Sequence, residues 1–150
     1  MTPTELQVFL HEQIPLTGAM ELTVESCDTG HVHLSAPLAP NINHRQTVFG
    51  GSAASLAIAS AWSMVYLRLS AECDQVPRIV IQRNTMNWTS PIHGEVQARC
   101  EAPDQETWDR LLKVLRRKGR GRIMLRSTLV ADGAPAADFT GTFVAIDMAS

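Results

Sequence analysis

The chain has 150 residues, 45% of them hydrophobic and 19% charged, with a formal net charge of −2. Those numbers describe one ordinary globular domain, 1–150, able to bury roughly two thirds of its unfolded surface. They exclude the whole-protein basic excess expected of a nucleic-acid binder. Cys27, Cys73 and Cys100 are scattered with no CxxC pair, which is the pattern of reduced thiols and predicts no metal site. Met1-Thr2-Pro3-Thr4-Glu5 lacks a basic n-region and an apolar run, so export is not indicated and a cytoplasmic location is expected.

Thr2-Pro3-Thr4-Glu5 has the form of a capping box, with Pro at the first helical position. Leu6, Phe9, Leu10 and Ile14 follow at helical spacing, and Pro15 is expected to stop the helix. Met20, Leu22 and Val24 alternate, as do Val32, Leu34, Ala36 and Leu38, with Asp28-Thr29-Gly30 between them, predicting a hairpin of half-buried strands. From Gly50 the pattern changes. Ala53, Leu56, Ala57, Ile58, Ala61, Trp62, Met64 and Val65 leave almost no polar face, so this helix must be covered on nearly all sides. Residues 50–68 would span about 28 Å at ~1.5 Å per residue. Its serines and Arg68 argue for a buried core helix and against a membrane span.

Ile79 to Trp88 and then Val96, Ala98 and Cys100 read as further strands. Trp108, Leu111, Leu112 and Leu115 mark an amphipathic helix with Gly119 as its C-cap. Ile123 to Leu129 and, past an Asp132-Gly133 turn, Phe139 to Ile146 complete the strands. Short helices apart, the order predicts an α+β fold in which an antiparallel sheet curls around one long helix. Its edges predict edge-to-edge dimerisation.

Between Asp28 and Glu72 there is no carboxylate, yet this stretch holds Asn41-Ile42-Asn43-His44, Thr47 and Phe49-Gly50-Gly51-Ser52. A Gly-Gly helix start offers unpaired N–H groups and the positive end of the helix dipole to an oxyanion. The plainer alternative is that the glycines permit close packing. Asn43 can donate through its amide and cannot act as a base, so it is assigned to substrate; Asn41, directly after Pro40, suits the turn. His44 could act as base or donor, though a loop histidine is more often an ordinary polar contact. Thr47 and Ser52 are candidate helix caps with no adjacent base to make them nucleophiles. The helix presents Ser55, Ser60 and Ser63, and no acid to activate water. Trp62, Trp88 and Trp108 read as core, and Asp74, His93 and Asp104 as loop residues. Arg116, Arg117, Lys118, Arg120 and Arg122 form one basic cluster. It complements a helix C-terminus in the plain reading, and holds phosphates or an acidic partner face in the functional one.

The segment from Pro37 to His44, with Thr47, Phe49-Gly50-Gly51-Ser52 and Trp62, resembles the hotdog-fold, thioesterase-like family that includes malonyl-acyl carrier protein decarboxylases. Ile14-Pro15-Leu16, Arg117-Lys118-Gly119 and Phe139-Thr140-Gly141 extend the resemblance over nearly the whole chain, while Trp88 stands where such proteins usually have Tyr. The resemblance implies a homodimer with sites at the subunit interface, leaving open whether two dimers associate further. It implies a CoA or acyl carrier protein thioester as substrate, its phosphopantetheine arm entering beside the central helix with no separate cofactor. It implies catalytic weight on Asn43, and the helix-start chemistry adds Gly50, Gly51 and Ser52 as expected catalytic residues. Asn41, His44, Thr47, Phe49, Arg117, Lys118 and Arg120 are expected to bind substrate. Decarboxylation supporting fatty-acid synthesis, thioester hydrolysis and non-catalytic acyl-carrier binding are the three readings, the first favoured because it needs no base. Nucleic acid and membrane are not expected partners.

Overall fold

The computed structural model describes residues 1–149. The helices are α1 (Pro3–Gln13), α2 (Pro15–Ala19), α3 (Gly50–Glu72) and α4 (Gln105–Lys118). The strands are β1 (Thr23–Cys27), β2 (His31–Ala36), β3 (Arg78–Trp88), β4 (Val96–Glu101), β5 (Arg120–Ala131) and β6 (Ala134–Ile146). The capping box forms: Thr2 Oγ1 accepts from the Glu5 N–H at 3.2 Å, and the Glu5 carboxylate accepts from the Thr2 N–H at 2.7 Å. Asp104 proves to be a cap as well, accepting from the Thr107 N–H at 2.8 Å. That bond holds its carboxyl below the ordinary aspartate value, so the cap loses strength as pH falls.

Helix α1 ends at Gln13, before Pro15 as expected, and Pro15 itself opens α2 at the first helical position, where its fixed φ and missing N–H cost nothing. Two other expectations about element ends need correction. Met20 and Leu22 lie before β1 and are buried in the turn out of α2, where the Leu22 N–H donates to the Thr17 carbonyl at 3.0 Å. Leu38 belongs to the approach to a 3-10 turn at Ala39–Asn41, not to β2. The last hairpin is longer than its apolar alternation suggested. Asp132 and Gly133 adopt φ of 52° and 74°, a turn whose twist matches the flanking strands and lets them pair up to it.

The sheet is antiparallel, in the order β1-β2-β4-β5-β6-β3. Alternate residues, among them Val32, Leu34, Ala98, Ile123, Leu129, Phe139 and Phe143, are buried on the face that wraps α3. Small residues on α3 (Ala53, Ala57, Ser60, Ala61) are fully buried and permit close backbone approach. Ser60 Oγ is 2.7 Å from Ser127 Oγ, a polar pin between helix and β5 inside the core. Gly121 does the same for α4. A Cβ there would lie 2.9 Å from Leu111 Cδ1 and 3.1 Å from the Leu111 carbonyl oxygen.

One chain covers α3 only in part. Ala54, Ser55, Ile58, Trp62 and Tyr66 form a half-exposed stripe, shielded on one side where Phe9 stacks on Tyr66 with ring centroids 4.8 Å apart. Trp62 Nε1 donates to the Ile79 carbonyl at 3.1 Å, which ties this stripe to β3. β3 itself is a sheet edge, exposed on most of its length.

Two stability measurements test this packing. Gly121→Ala pushes α4 off the sheet and is expected to cost about 1–3 kcal/mol by chemical denaturation. Gly94→Ala, whose Cβ meets nothing within 4 Å, should be near neutral in the same assay. Burial pushes the Cys100 thiol from 9.0 up to about 12, so it should resist alkylation at pH 8 until the chain unfolds. Because the folded state favours the protonated thiol, its contribution is present below pH 9.0 and is lost as pH rises toward about 12.

Candidate active site

The start of α3 is held open by the loop before it. Asn41 is 2% exposed, and its amide donates to the Met20 carbonyl at 2.9 Å and the Pro37 carbonyl at 2.8 Å. Its backbone carbonyl accepts from the Phe49 N–H at 2.7 Å, and the Val48 N–H donates to the Ile92 carbonyl at 2.8 Å. Asn41 therefore fixes the residue that precedes the helix, the turn role its place after Pro40 suggested. Its Oδ1 is buried and meets no hydrogen-bond partner among the described residues.

Thr47 and Ser52, expected as caps, do not cap α3. The N-cap is Phe49, which makes no side-chain capping bond, and Thr47 Oγ1 instead accepts from Asn43 Nδ2 at 2.9 Å. The first backbone bond of the helix runs from the Ala53 N–H to the Phe49 carbonyl. Among the described residues no acceptor meets the N–H groups of Gly50, Gly51 or Ser52. Three donors and the positive end of a 23-residue helix thus coincide.

Asn43 braces its own loop. Its Oδ1 accepts from the Arg45 N–H at 2.8 Å and the Thr47 N–H at 3.1 Å. One amide hydrogen is committed to Thr47, and the other meets no acceptor among the described residues. His44 lies on the exposed side of this loop.

The walls around the donors are aromatic. Phe49 is 57% exposed, and its ring lies across Gly51, occupying the space a Cβ there would take. Trp88 lies 3.7 Å from where a Cβ on Gly50 would be. Trp88 is 50% exposed, so the expectation of a core tryptophan fails for it, whereas Trp108 is fully buried. Trp88 ends an edge strand whose neighbours Asn84, Thr85 and Asn87 are polar and exposed, and that polarity was the available signal. The two glycines admit the rings closely, and their backbone N–H groups meet no acceptor among the described residues.

Arg117, Lys118 and Arg120 are not brought to this point within one chain. Arg120 pairs with Ile146, and Ile146 with Arg78, at the opposite end of β3 from Trp88. Ten residues of strand separate those ends by about 33 Å. A Ser–His–Asp chain, which sequence inspection did not single out, occurs at the β1–β2 hairpin. His31 Nδ1 is 3.1 Å from Asp28 Oδ1, and His31 Nε2 is 2.9 Å from Ser26 Oγ. The same Asp28 oxygen accepts from the Gly30 N–H at 2.6 Å and the His31 N–H at 2.9 Å, so the group locks a solvent-facing turn. No helix is long and apolar enough to cross a membrane among the described residues.

Residues 3–147 match the family model described as "Putative thioesterase (yiiD_Cterm)". A protein "with unknown function" (OLEI01261) from Chlorobaculum tepidum is 32% identical with a TM-score of 0.91, over 97% of both chains. A "putative thioesterase" from Shewanella oneidensis is 27% identical with a TM-score of 0.84, over 96% of both. The thioesterase HI1161 from Haemophilus influenzae shares the fold at 10% identity and a TM-score of 0.78, over 100% of this chain and 94% of that one. A helix inside a wrapped antiparallel sheet, the family match over nearly the full length and these structural likenesses agree: the chain belongs to this hotdog-fold thioesterase family, whose chemistry is that of acyl thioesters.

Proposed function

We propose that the protein decarboxylates malonyl-acyl carrier protein to acetyl-acyl carrier protein, supporting the start of fatty-acid synthesis. The observation that carries this reading is a bare helix start, rich in donors and walled by aromatic rings, in a segment from Thr29 to Ala71 without a carboxylate. In the proposed pose the thioester oxygen faces the Gly50 and Gly51 N–H groups, with Ser52 beside them and the free Asn43 amide hydrogen completing the set. The malonyl carboxylate is turned out of the thioester plane against Phe49 and Trp88. Its bond to the α-carbon breaks, carbon dioxide leaves, and the electron pair moves into a thioester enolate. A solvent proton then goes to the α-carbon. No base is needed before bond cleavage. Each oxyanion donor is worth about 2.7–4 kcal/mol of barrier, and an apolar wall disfavours the charged ground state.

The family description favours a second reading, thioester hydrolysis, which would require a base such as His44 to activate water. Retention of a carrier-binding pocket without turnover is the third. Incubation with malonyl-carrier protein separates them. Acetyl-carrier is expected; free carrier thiol would establish hydrolysis, and unchanged bound substrate would establish binding alone.

Asn43→Ala should lower kcat by roughly 10²–10³-fold with the fold retained by circular dichroism, and unimpaired turnover would remove Asn43 from the reaction.

A homodimer across β3 is part of the same proposal. The edge of β3, the half-exposed Ile58 and Trp62 on α3, and exposed Trp88 form one unpartnered surface that a second copy would cover. Ile58→Lys should shift sedimentation to the monomer and reduce turnover. A wild-type monomer at micromolar concentration would refute the pairing.

A further inference from the structure

Positive charge is concentrated in one part of this chain. Arg110, Lys113, Arg116, Arg117, Lys118, Arg120, Arg122 and Arg126 account for most of its 13 Lys and Arg residues, and no Asp or Glu lies between Arg110 and Ala131. A net charge of −2 conceals this separation.

The separation coincides with a groove. Between α4 and the outer face of β5, β6 and β3 lies a hollow of about 670 Å³ with Val80, Val114 and Val144 among its lining residues. Arg110, Lys118, Arg120 and Arg122 line it with them. Val80 is 40% exposed, so this apolar surface is open to solvent within the chain. A second hollow of about 660 Å³ shares Arg110 and Arg122 and continues to Arg126 and to Met124, itself 54% exposed, with Glu101 and Asp104 on its far wall beyond the basic stretch. Arg120, Arg122 and Arg126 are alternate-face residues of one strand, paired with Ile146, Val144 and Thr140.

The dimensions select the occupant. The seven strand residues from Arg120 to Arg126, six steps apart, span about 20 Å. The phosphates of one nucleotide would engage only part of that length. A helix of about 13 residues matches it, with side chains on one face recurring about every 5.4 Å. Apolar side chains between the arginines need an apolar stripe on the ligand, which a nucleotide does not offer.

We propose that this groove docks an acidic amphipathic helix of a partner protein, its apolar side on Val80, Val114 and Val144 and its carboxylates against Arg110, Arg120, Arg122 and Arg126. Taking the partner to be the carrier protein that delivers the thioester rests on the function proposed above. Antiparallel pairing about the middle of β3 would place the groove of one copy at the same end of the joined sheet as the α3 start of the other. The docked carrier would then serve the second copy's site.

The test measures binding without turnover. Apo-acyl carrier protein, which lacks the arm, is titrated against the full-length protein at low salt and again at 0.5 M salt. Wild type should bind, with affinity falling at high salt as screening shortens to a few ångströms. Arg120→Glu/Arg122→Glu/Arg126→Glu should weaken carrier binding at least tenfold, and Arg120→Ala/Arg122→Ala should weaken it less while melting as wild type does. The KM for a malonyl-CoA substrate should not move in either variant. Unchanged carrier binding in the triple variant would overturn the proposal. So would an equal loss toward malonyl-CoA, because that result identifies a phosphate site. Carrier binding that depends on the arginines, in a protein that forms no acetyl product, would retain the groove and reject the decarboxylase reading.

Discussion

Everything in this fold depends on hiding α3. A 23-residue helix with apolar side chains on nearly every side cannot remain in water, and a flat sheet covers only one of its faces. The antiparallel sheet therefore curls, and side chains of β2, β4, β5 and β6 close on the helix. The small residues of α3 set how tightly this can be done. Ala57 and Ser60 bring backbone to backbone, and the Ser60–Ser127 hydroxyl pair ties the helix to β5 in a mostly apolar surface. The remaining stripe at Ile58 and Trp62 and the open edge of β3 adjoin one another.

The candidate site is a by-product of the same helix. A buried helix must begin somewhere, and its first N–H groups must find acceptors. Here the chain arrives on a loop clamped by the Asn41 amide and by Asn43, and the N-cap residue is Phe49, which has no acceptor to give. The donors of Gly50, Gly51 and Ser52 are left facing outward between Phe49 and Trp88. Asn43 shows how one residue can be both structural and available: its oxygen and one hydrogen hold the loop, and its second hydrogen is free. Hydrolysis and decarboxylation both need such an oxyanion site, and they differ in whether a base must be present as well.

Legibility in the sequence followed physical locality. The capping box at Thr2, the C-cap at Gly119 and the alternation of β5 and β6 depend on neighbours a few residues away, and each appeared in the structure. Pro15 ended the first helix as expected, but the short helix it opens was not foreseen, because proline suits a helix start as well as a helix stop. Trp88 was misread because apolarity alone does not say whether a strand lies at the centre or the edge of a sheet. Thr47 and Ser52 have the chemistry of caps, but Thr47 was claimed by Asn43 across the loop, a competition that composition does not reveal.

By itself the sequence determined the antiparallel class, the buried central helix, the donor-rich helix start and a basic cluster over residues 116–122, because periodicity, side-chain chemistry and charge are properties of the chain. Tertiary structure alone decided that Trp88 stands beside Gly50, that β3 is an edge, and that Arg120 lies at the far end of the sheet from the helix start. Those are consequences of strand order and register, which join residues dozens of positions apart through backbone hydrogen bonds that every residue type can make.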